Sequence, residues 1–552
     1  MTTPNPRGDW RDGLPPDATP IEGVTRAQLP APGVVGAIQF DSRAVQAGDV
    51  FVCIEGQRFD GHEFAPQAAA AGASAIVVAT GRAQAARAAG VVTPIIEVAN
   101  PRRALSSLAA AHQGYPARKL TVIGITGTDG KSTTAFLTHA ALGGAGVRAG
   151  LLTTIGSRLG PPAEGPAAPG ASSTTVNATR LTTQEAPVVQ RLLAEMVEAG
   201  STHAIIEATS HGLALDRLAD CEFDVGVLTN FSSDHLDFHG TLQAYRAAKL
   251  RLFEALGASN HKHGEALNEP TSKKGRPRGA LAAPSPRRFA IVNRDDPAWQ
   301  RFASAVNASR ADVLTYGLRS RAADLRATDV LPWADGSTFA LATDEWEIDA
   351  SVPLPGLFNV LNATAAIGIA TGLGLDPMAA AAGVARCPGV PGRMQRVAGA
   401  PFPVIVDYAH TPEAMRQVLT QLAPLVEGRV IVVFGCAGER SPERRSGLGS
   451  VVAELGAYAV LTEEDPRSED PDAILEEIAA AMRARGAEEG AQFERVPERR
   501  AAIARALALA TPADLVLLAG KGHESTIERA SGPIPWDEAA IAAALIETRF
   551  AN

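Results

Sequence analysis

The segment from Gly124 to Thr134 reads GITGTDGKSTT, and its residue types suit one task, the holding of a polyphosphate. Gly127 and Gly130 allow tight turns, Lys131 brings a point charge to the β- and γ-phosphates, and the Ser132 hydroxyl is a ligand for Mg²⁺. The order differs from the P-loop pattern G-x-x-x-x-G-K-[ST] at its first position, where Ile125 stands in place of glycine. With LTVIGIT before it and TTAFLTHAAL after it, the loop is expected between a strand and a helix, with Thr128 and Thr133 inside the binding turn. Backbone N–H groups of Gly127 to Lys131 would then cradle phosphate oxygens at a helix N-terminus.

Three other stretches carry groups suited to the same centre. IIEATSHGL ends an apolar run on Glu207, followed by Thr209, Ser210 and His211. A carboxylate at the carboxyl end of a strand faces the ligand crevice of an α/β sheet and suits metal ligation, although taken alone it would as often cap a helix. FSSDHLDFHG gathers Asp234, His235, Asp237 and His239, a set of carboxylates and imidazoles fit for a divalent metal, in residue types also ordinary in turns. AYRAAKLRLF puts Lys249 on an amphipathic helix, where spacing alone reads it as a solvent-facing lysine. Nearer the C-terminus, DYAHTP (Asp407, His410), EEDPRSED (Arg467) and GKGHE (Gly520 to Glu524) each follow an apolar run, as if to meet a small polar substrate along one sheet edge.

These groups need scaffolds, and 552 residues call for several domains at about 150 residues each. The first 34 residues, rich in Pro, Gly, Asp and Arg, read as a flexible tail. Three α/β modules follow, at 35–118, 119–394 and 395–552. The central one is expected to be a P-loop ATPase-like parallel sheet. PVIVDYA, RVIVVFG, YAVLTEE and ADLVLLAG predict a doubly wound, Rossmann-like sheet in the last. Residues 258–288 hold seven Lys and Arg against two Glu and read as a flexible surface insertion, with an anion site as the other reading. A net charge of −9 gives no reason to expect nucleic acid. No apolar run approaches the roughly 18 residues of a membrane span. Cys53, Cys221, Cys387 and Cys436 are too far apart for a C-x-x-C pair, and suggest buried thiols in a reducing cytoplasm.

Taken together, TGTDGKSTT, EATSHGL, DHLDFHG with YRAAK, the N-x-x-N-x-x-A-A element at Asn359–Ala366, PGRM, DYAHTP and GKGHE resemble the Mur ligases in content and order, over about residues 35 to 540. FDSRAVQAGDVFVCIEG, DPR and GKGHE are similar to the branch that adds the third, diamino, residue to UDP-N-acetylmuramoyl-L-alanyl-D-glutamate in peptidoglycan synthesis. The resemblance implies ATP-driven formation of an acyl phosphate on the substrate's γ-carboxylate, which the incoming amine then displaces. It implies a cytoplasmic monomer acting on small molecules, without nucleic acid or membrane partners.

The same resemblance implies roles for single residues. Lys131, Lys249 and His235 would be catalytic. Ser132, Glu207, His235 and Lys249 as its N6-carboxylated (carbamate) form would hold two Mg²⁺ ions. Gly127, Thr128, Gly130, Lys131, Ser132 and Thr133 would take the ATP phosphates. Asn293, Asn359, Asn362, Arg393, Asp407 and His410 would hold its adenine and ribose. Module 35–118 would bind uridine, with Ser42 near it, while Thr182, Thr183, Thr209 and Arg217 hold the acidic end of the dipeptide. Arg440, Asp465, Arg467, Gly520 and Glu524 would hold the incoming amino acid.

Several residues depart from the family pattern. Asp129 stands where asparagine is usual and adds a negative charge beside the phosphates. The T-T-P element reads Thr182-Thr183-Gln184, Thr209 replaces the usual first serine of S-S-H, and GCAGERSPERR keeps Arg440 in an altered setting. Glu464-Asp465-Pro466-Arg467 replaces the D-N-P-R of enzymes that use meso-diaminopimelate. Arg467 can pair with a distal carboxylate and favours diaminopimelate, whereas the charge of Asp465 would attract an ammonium and pulls towards lysine or ornithine. Two other readings remain in competition: a folylpolyglutamate synthase-like ligase, which lacks the N-terminal module, and a non-catalytic P-loop ATP-binding protein, which leaves Lys249, DYAHTP and GKGHE unexplained.

Overall fold

A computed structural model describes residues 35–56, 59–160, 183–256 and 288–550, with positions 21, 24, 28 and 29 and the strand at 175–176. Most of the expected tail, nearly all of the basic insertion at 258–288, and Thr182 lie outside the described residues. One part of the tail reading needs correction. Ile21, Val24 and Leu29 are buried against the first sheet, because isolated apolar side chains in a polar stretch gain by packing on any open apolar face. The chain forms two compact units: residues up to Asp324 with Ala365–Ala380, and Leu325–Thr364 with Ala381 onward. Those units divide the chain elsewhere than the expected boundary at 394/395.

The first unit opens with a parallel four-stranded sheet of β1 (Ile38–Gln39), β2 (Val50–Val52), β3 (Ala75–Ala79) and β4 (Ile95–Val98) in sequential order. Asn100 starts the helix Pro101–His112 by accepting from the N–H groups of Arg102 and Arg103. A short 3₁₀ turn at Pro116–Lys119 then leads into the larger sheet.

That sheet contains β5 (Thr121–Thr126), β6 (Ala149–Leu152), β7 (Gly156–Arg158), β8 (Thr175–Val176), β9 (His203–Glu207), β10 (Val225–Leu228), β11 (Phe289–Asn293) and β12 (Asp312–Gly317), in the spatial order β12-β11-β10-β5-β9-β6-β7-β8. All pairings are parallel except those of β7 and β8 at the edge. Ile125 lies opposite Glu207 and Thr126 opposite Leu228, so three strand ends, each followed by one of the predicted motifs, come out side by side. Leu193, Met196, Leu252, Phe253 and Phe302 fill the core beneath them, each contributing about 1.5–3 kcal/mol of apolar burial.

In the second unit β13 (Leu325–Trp333), β14 (Gly336–Ala342) and β15 (Glu347–Val352) form an antiparallel meander. The helix Leu357–Gly372 follows, its residues from Ala365 onward belonging to the first unit. A second sheet holds β16 (Gln395–Arg396), β17 (Val404–Asp407), β18 (Val430–Phe434), β19 (Tyr458–Leu461), β20 (Phe493–Arg495) and β21 (Leu515–Ala519), ordered β16-β17-β21-β18-β19-β20. Its strands are parallel apart from β16, as the doubly wound reading expects. A hairpin of β22 (Thr526–Arg529) and β23 (Gly532–Pro535) stands beside it, absent from the sequence reading.

Candidate functional site

The glycine loop joins β5 to the helix Lys131–Gly144 as expected. Gly127 has φ 151° and Gly130 φ 77°. A Cβ at Gly127 would lie 1.9 Å from Thr229 Oγ1, so only glycine fits this approach of the loop to the end of β10. Not every N–H in the loop faces a phosphate. Thr128 N donates to Asn230 O at 3.0 Å and Asp129 N to Asn230 Oδ1 at 2.8 Å. The expected cradle is therefore corrected to the open first turn from Gly130 to Thr133, where helix N–H groups lack intrahelical partners. Thr128 turns its hydroxyl inward to Ser232 and Tyr245.

Two lysines converge on this loop. Lys131 Nζ donates to Thr128 O at 2.7 Å and Lys249 Nζ to Gly127 O at 2.6 Å. Lys249 is 1% exposed, which corrects its solvent-facing reading: the helix Leu242–Glu254 turns it inward beneath the loop, beside the Tyr245 ring. Burial, reinforced by repulsion from Lys131, lowers its proton affinity well below that of an ordinary lysine, against the attraction of Asp234, Asp129 and Glu207.

Glu207 is buried and its Oε2 accepts from Ser132 Oγ at 2.8 Å and from Thr154 N at 3.0 Å. A carboxylate meeting only neutral donors keeps its charge available, and with the serine oxygen offers hard ligands that fit Mg²⁺. His235 sits at φ 52° with Nε2 3.2 Å from Asp234 Oδ2. Burial, helped by Lys131 and Lys249 and opposed by Asp234, lowers its proton affinity and keeps a ring lone pair free for a cation. His211 packs 4.9 Å from the His235 ring. The trio Glu55, Asp60 and His62 also has ligand chemistry, but both His62 ring nitrogens are engaged, by Asp60 and by Ala79 N.

Of the residues expected to meet the dipeptide, Thr183, Thr209 and Arg217 are brought together. Thr183 Oγ1 lies 2.7 Å from Thr209 Oγ1, and Arg217 donates to Thr183 O at 2.9 Å and pairs with Glu185 at 2.7 Å. A small, partly open pocket is lined by Thr183, Glu207, Leu152 and Ser157. Ser42 lies in the first module and donates to Gln67 at 3.1 Å.

The nucleoside residues divide between the units. In the first, Asn293 donates to Thr229 O at 2.8 Å. In the second, Asn359 donates to Pro355 O and Asn362 to Asn359 Oδ1, both within the fold, while Arg393 lies 4.6 Å from the Tyr408 ring centroid. Asp407 spends both oxygens on backbone N–H groups, of Ala409 at 2.8 Å and Met394 at 2.7 Å. His410 donates to Tyr408 O at 2.7 Å, and burial holds its proton affinity down to about 3.

The three C-terminal loops meet at one sheet edge, as their placement after parallel strands requires. Tyr408 donates to Glu524 at 3.2 Å, Lys521 bridges Glu524 at 2.6 Å and Asp465 at 2.9 Å, and Asp465 also accepts from Glu528 N. The charge of Asp465, expected to attract an ammonium, is thus answered in place by Lys521. Arg467 is held at φ 57° by its N–H bond to Glu528 O, with NH1 3.7 Å from Glu439, and Arg440 is exposed. Gly520 has φ 99°, and a Cβ there would fall 2.8 Å from Glu464 Oε2. Burial pushes the Glu464 carboxyl up to about 7. Asn230, Thr154 and Lys521 were given no role from sequence, and Glu464 was named only as part of the departure from D-N-P-R. Lys521 lies inside the quoted run GKGHE and Asn230 directly before the quoted FSSDHLDFHG; for Thr154 no signal exists.

Three domain profiles match this chain: "Mur ligase family, catalytic domain" over residues 34–113, "Mur ligase middle domain" over 125–265 and 279–370, and "Mur ligase, glutamate ligase domain" over 392–522. A UDP-N-acetylmuramyl-tripeptide synthetase of Roseiflexus sp. is 43% identical over 516 residues, 92% of this chain and 94% of its own. A UDP-N-acetylmuramoyl-L-alanyl-D-glutamate–2,6-diaminopimelate ligase of Streptomyces coelicolor is 37% identical over 541 residues, 98% and 97% of the two chains. A solved structure of a ligase with that same name superposes with a TM-score of 0.64 at 28% identity, covering 100% of this chain and 99% of the other. Among the described residues no helix is long and apolar enough to cross a membrane. The chain belongs to the Mur ligase family, whose members are ATP-dependent ligases that form amide bonds.

Proposed function

We propose that this chain joins a diamino acid, meso-diaminopimelate in preference, to the γ-carboxylate of UDP-N-acetylmuramoyl-L-alanyl-D-glutamate, as a cytoplasmic monomer in peptidoglycan synthesis. The observation that carries the reading is the pairing of Lys131 and Lys249 under one glycine loop, next to the Ser132–Glu207 contact. Such a centre suits transfer of a phosphoryl group to an anionic acceptor, because a triphosphate and a carboxylate repel unless cations screen them. Two bound Mg²⁺ ions would supply that screening, held by Ser132, Glu207, His235 and the carbamate of Lys249.

Lys249 suits the modification chemically. Its buried amine binds a proton weakly, and a neutral amine adds CO₂ to give a carbamate anion and one released proton. Lys131 and the first-turn N–H groups orient the γ-phosphate towards the carboxylate, while Thr183, Thr209 and Arg217 hold the dipeptide. The carboxylate oxygen attacks phosphorus and ADP leaves. The acceptor's free amine then attacks the acyl carbon, and phosphate departs from the tetrahedral intermediate with the proton that the nitrogen gives up.

Diaminopimelate is preferred on two grounds. Arg467 can meet its distal carboxylate, and Lys521 answers the Asp465 charge that would otherwise favour a second ammonium. The Streptomyces coelicolor relative bears the name of a diaminopimelate ligase. Phosphate release by the purified protein with ATP, Mg²⁺ and the UDP-dipeptide tests this, with diaminopimelate, lysine and ornithine supplied separately. Stimulation by diaminopimelate is expected. A response to lysine or ornithine alone reassigns the acceptor, and no response to any of the three sinks the ligase reading.

A further inference from the structure

Arg499 is among the largest fully buried side chains of the chain, and neither the phosphate centre nor the acceptor loops include it. It opens the helix Arg499–Leu509, and its guanidinium meets the Glu538 carboxylate with NH2 2.6 Å from Oε1 and Nε 3.0 Å from Oε2. Trp536 Nε1 donates to the same carboxylate at 2.6 Å. Both charged side chains are 0% exposed.

A buried ion pair is poor value as a stabiliser, since desolvation of the two charges offsets most of their attraction and apolar replacements often do as well. What an apolar pair could not reproduce is the use made of the remaining N–H groups. Arg499 NH1 donates to Glu463 O at 3.0 Å and NH2 to Ala519 O at 2.8 Å. Ala519 ends β21, and Glu463 lies two residues beyond the end of β19. These strands are not neighbours, because β18 lies between them and pairs with both, so no single ladder hydrogen bond can reach from one exit to the other. A planar guanidinium, locked by Glu538 and Trp536, can.

Immediately after those two carbonyls come Glu464-Asp465 on one side and Gly520-Lys521 on the other. The two loops are in contact there: Lys521 pairs with Asp465 at 2.9 Å, and Gly520 leaves room only for the Glu464 carboxylate. Gly435, just past β18, is equally tight, since a Cβ there would lie 2.1 Å from Thr462 O.

We propose that the Arg499–Glu538 pair is a positioning device for the incoming amino acid, setting the separation of the EEDPR and GKGHE loops through their backbone carbonyls without touching the substrate. The inference rests on the reading that these loops hold the acceptor.

Steady-state phosphate release by the full chain tests it, using ATP, Mg²⁺, the UDP-dipeptide and diaminopimelate, or whichever of lysine and ornithine the wild type prefers. Arg499→Lys keeps a charge for Glu538 but loses the fork that reaches both carbonyls. Its KM for the amino acid should rise about ten- to a hundred-fold, with the KM for ATP and for the UDP-dipeptide nearly unchanged. An unchanged amino-acid KM despite a lower Tm, or a parallel rise in all three KM values, overturns the positioning role. Trp536→Phe, which removes one donor from Glu538 together with part of the indole's packing on the core, should move the same KM in the same direction by less. It decides the matter if Arg499→Lys fails to fold, and an unchanged amino-acid KM there counts against the proposal. A wild type that responds to no amino acid sinks the functional reading itself; a responsive wild type beside an unmoved Arg499→Lys sinks only the positioning.

Discussion

The glycine-loop region and the C-terminal loop cluster both gather charge at the carboxyl edge of a parallel sheet, yet they treat it in opposite ways. Around the loop, Lys131 and Lys249 bond to the carbonyls of adjacent residues, and neither makes an ion pair among the described residues. Glu207 meets hydroxyl and amide donors only. In the C-terminal cluster nearly every charge has its opposite: Lys521 with Asp465 and Glu524, Arg529 with Glu463, Arg499 with Glu538, Arg445 with Glu469. A centre that receives a polyanion and cations must keep its charges uncommitted, whereas a pocket for a zwitterion gains from charges already fixed in place.

That contrast can be broken most forcefully at Lys249. Lys249→Ala should reduce turnover about 10³-fold or more while binding of the UDP-dipeptide, followed by calorimetry, stays close to wild type. Near-normal turnover in that variant would mean that the uncommitted charge under the loop is structural.

Glu464 is the exception within the paired cluster, since its Oε2 has no hydrogen-bond partner among the described residues. Burial raises its carboxyl to about 7 from 4.5, so its contribution to stability is complete below the lower value and lost as pH rises through the upper one. Glu464→Gln should therefore gain stability over the wild type as pH climbs from about 5 to about 7.5, by at most about 3 kcal/mol. Thermal melts across that window check it, and a constant difference between the two proteins would place the charge elsewhere.

The smallest effect is expected at Asp129, which is exposed beside the loop. Asp129→Asn should lower the KM for ATP by only about two-fold, and less at high salt, as befits a screened surface charge. A change of an order of magnitude would show that this carboxylate meets the phosphates directly.

Much of this arrangement was readable from sequence because parallel strands buried on both faces appear as short apolar runs, and those of the two large sheets did. The meander was not. LRATDVLPW of β13 mixes exposed polar and apolar residues and contains Pro332, while TIER and GPIP of the later hairpin are half-exposed and too short to alternate. Glu207 and Ser132 could be named because each sits in a local motif. Lys249 could be placed on its helix but not beneath the loop, since the carbonyl that receives it lies 122 residues earlier. Likewise Asp465 shows its charge in sequence, but the lysine that answers it is 56 residues away. What local pattern hides is which long-range partner claims a group, and that decides whether a charge is spent or available.

Arg499 grips carbonyl oxygens, an atom that every residue type provides. The hold itself therefore does not depend on which side chains follow, and those at 464–467 can drift while the strand exits keep their spacing. A lineage could in this way exchange one amino acid for another in its cell wall by a few point changes, inheriting the frame unaltered.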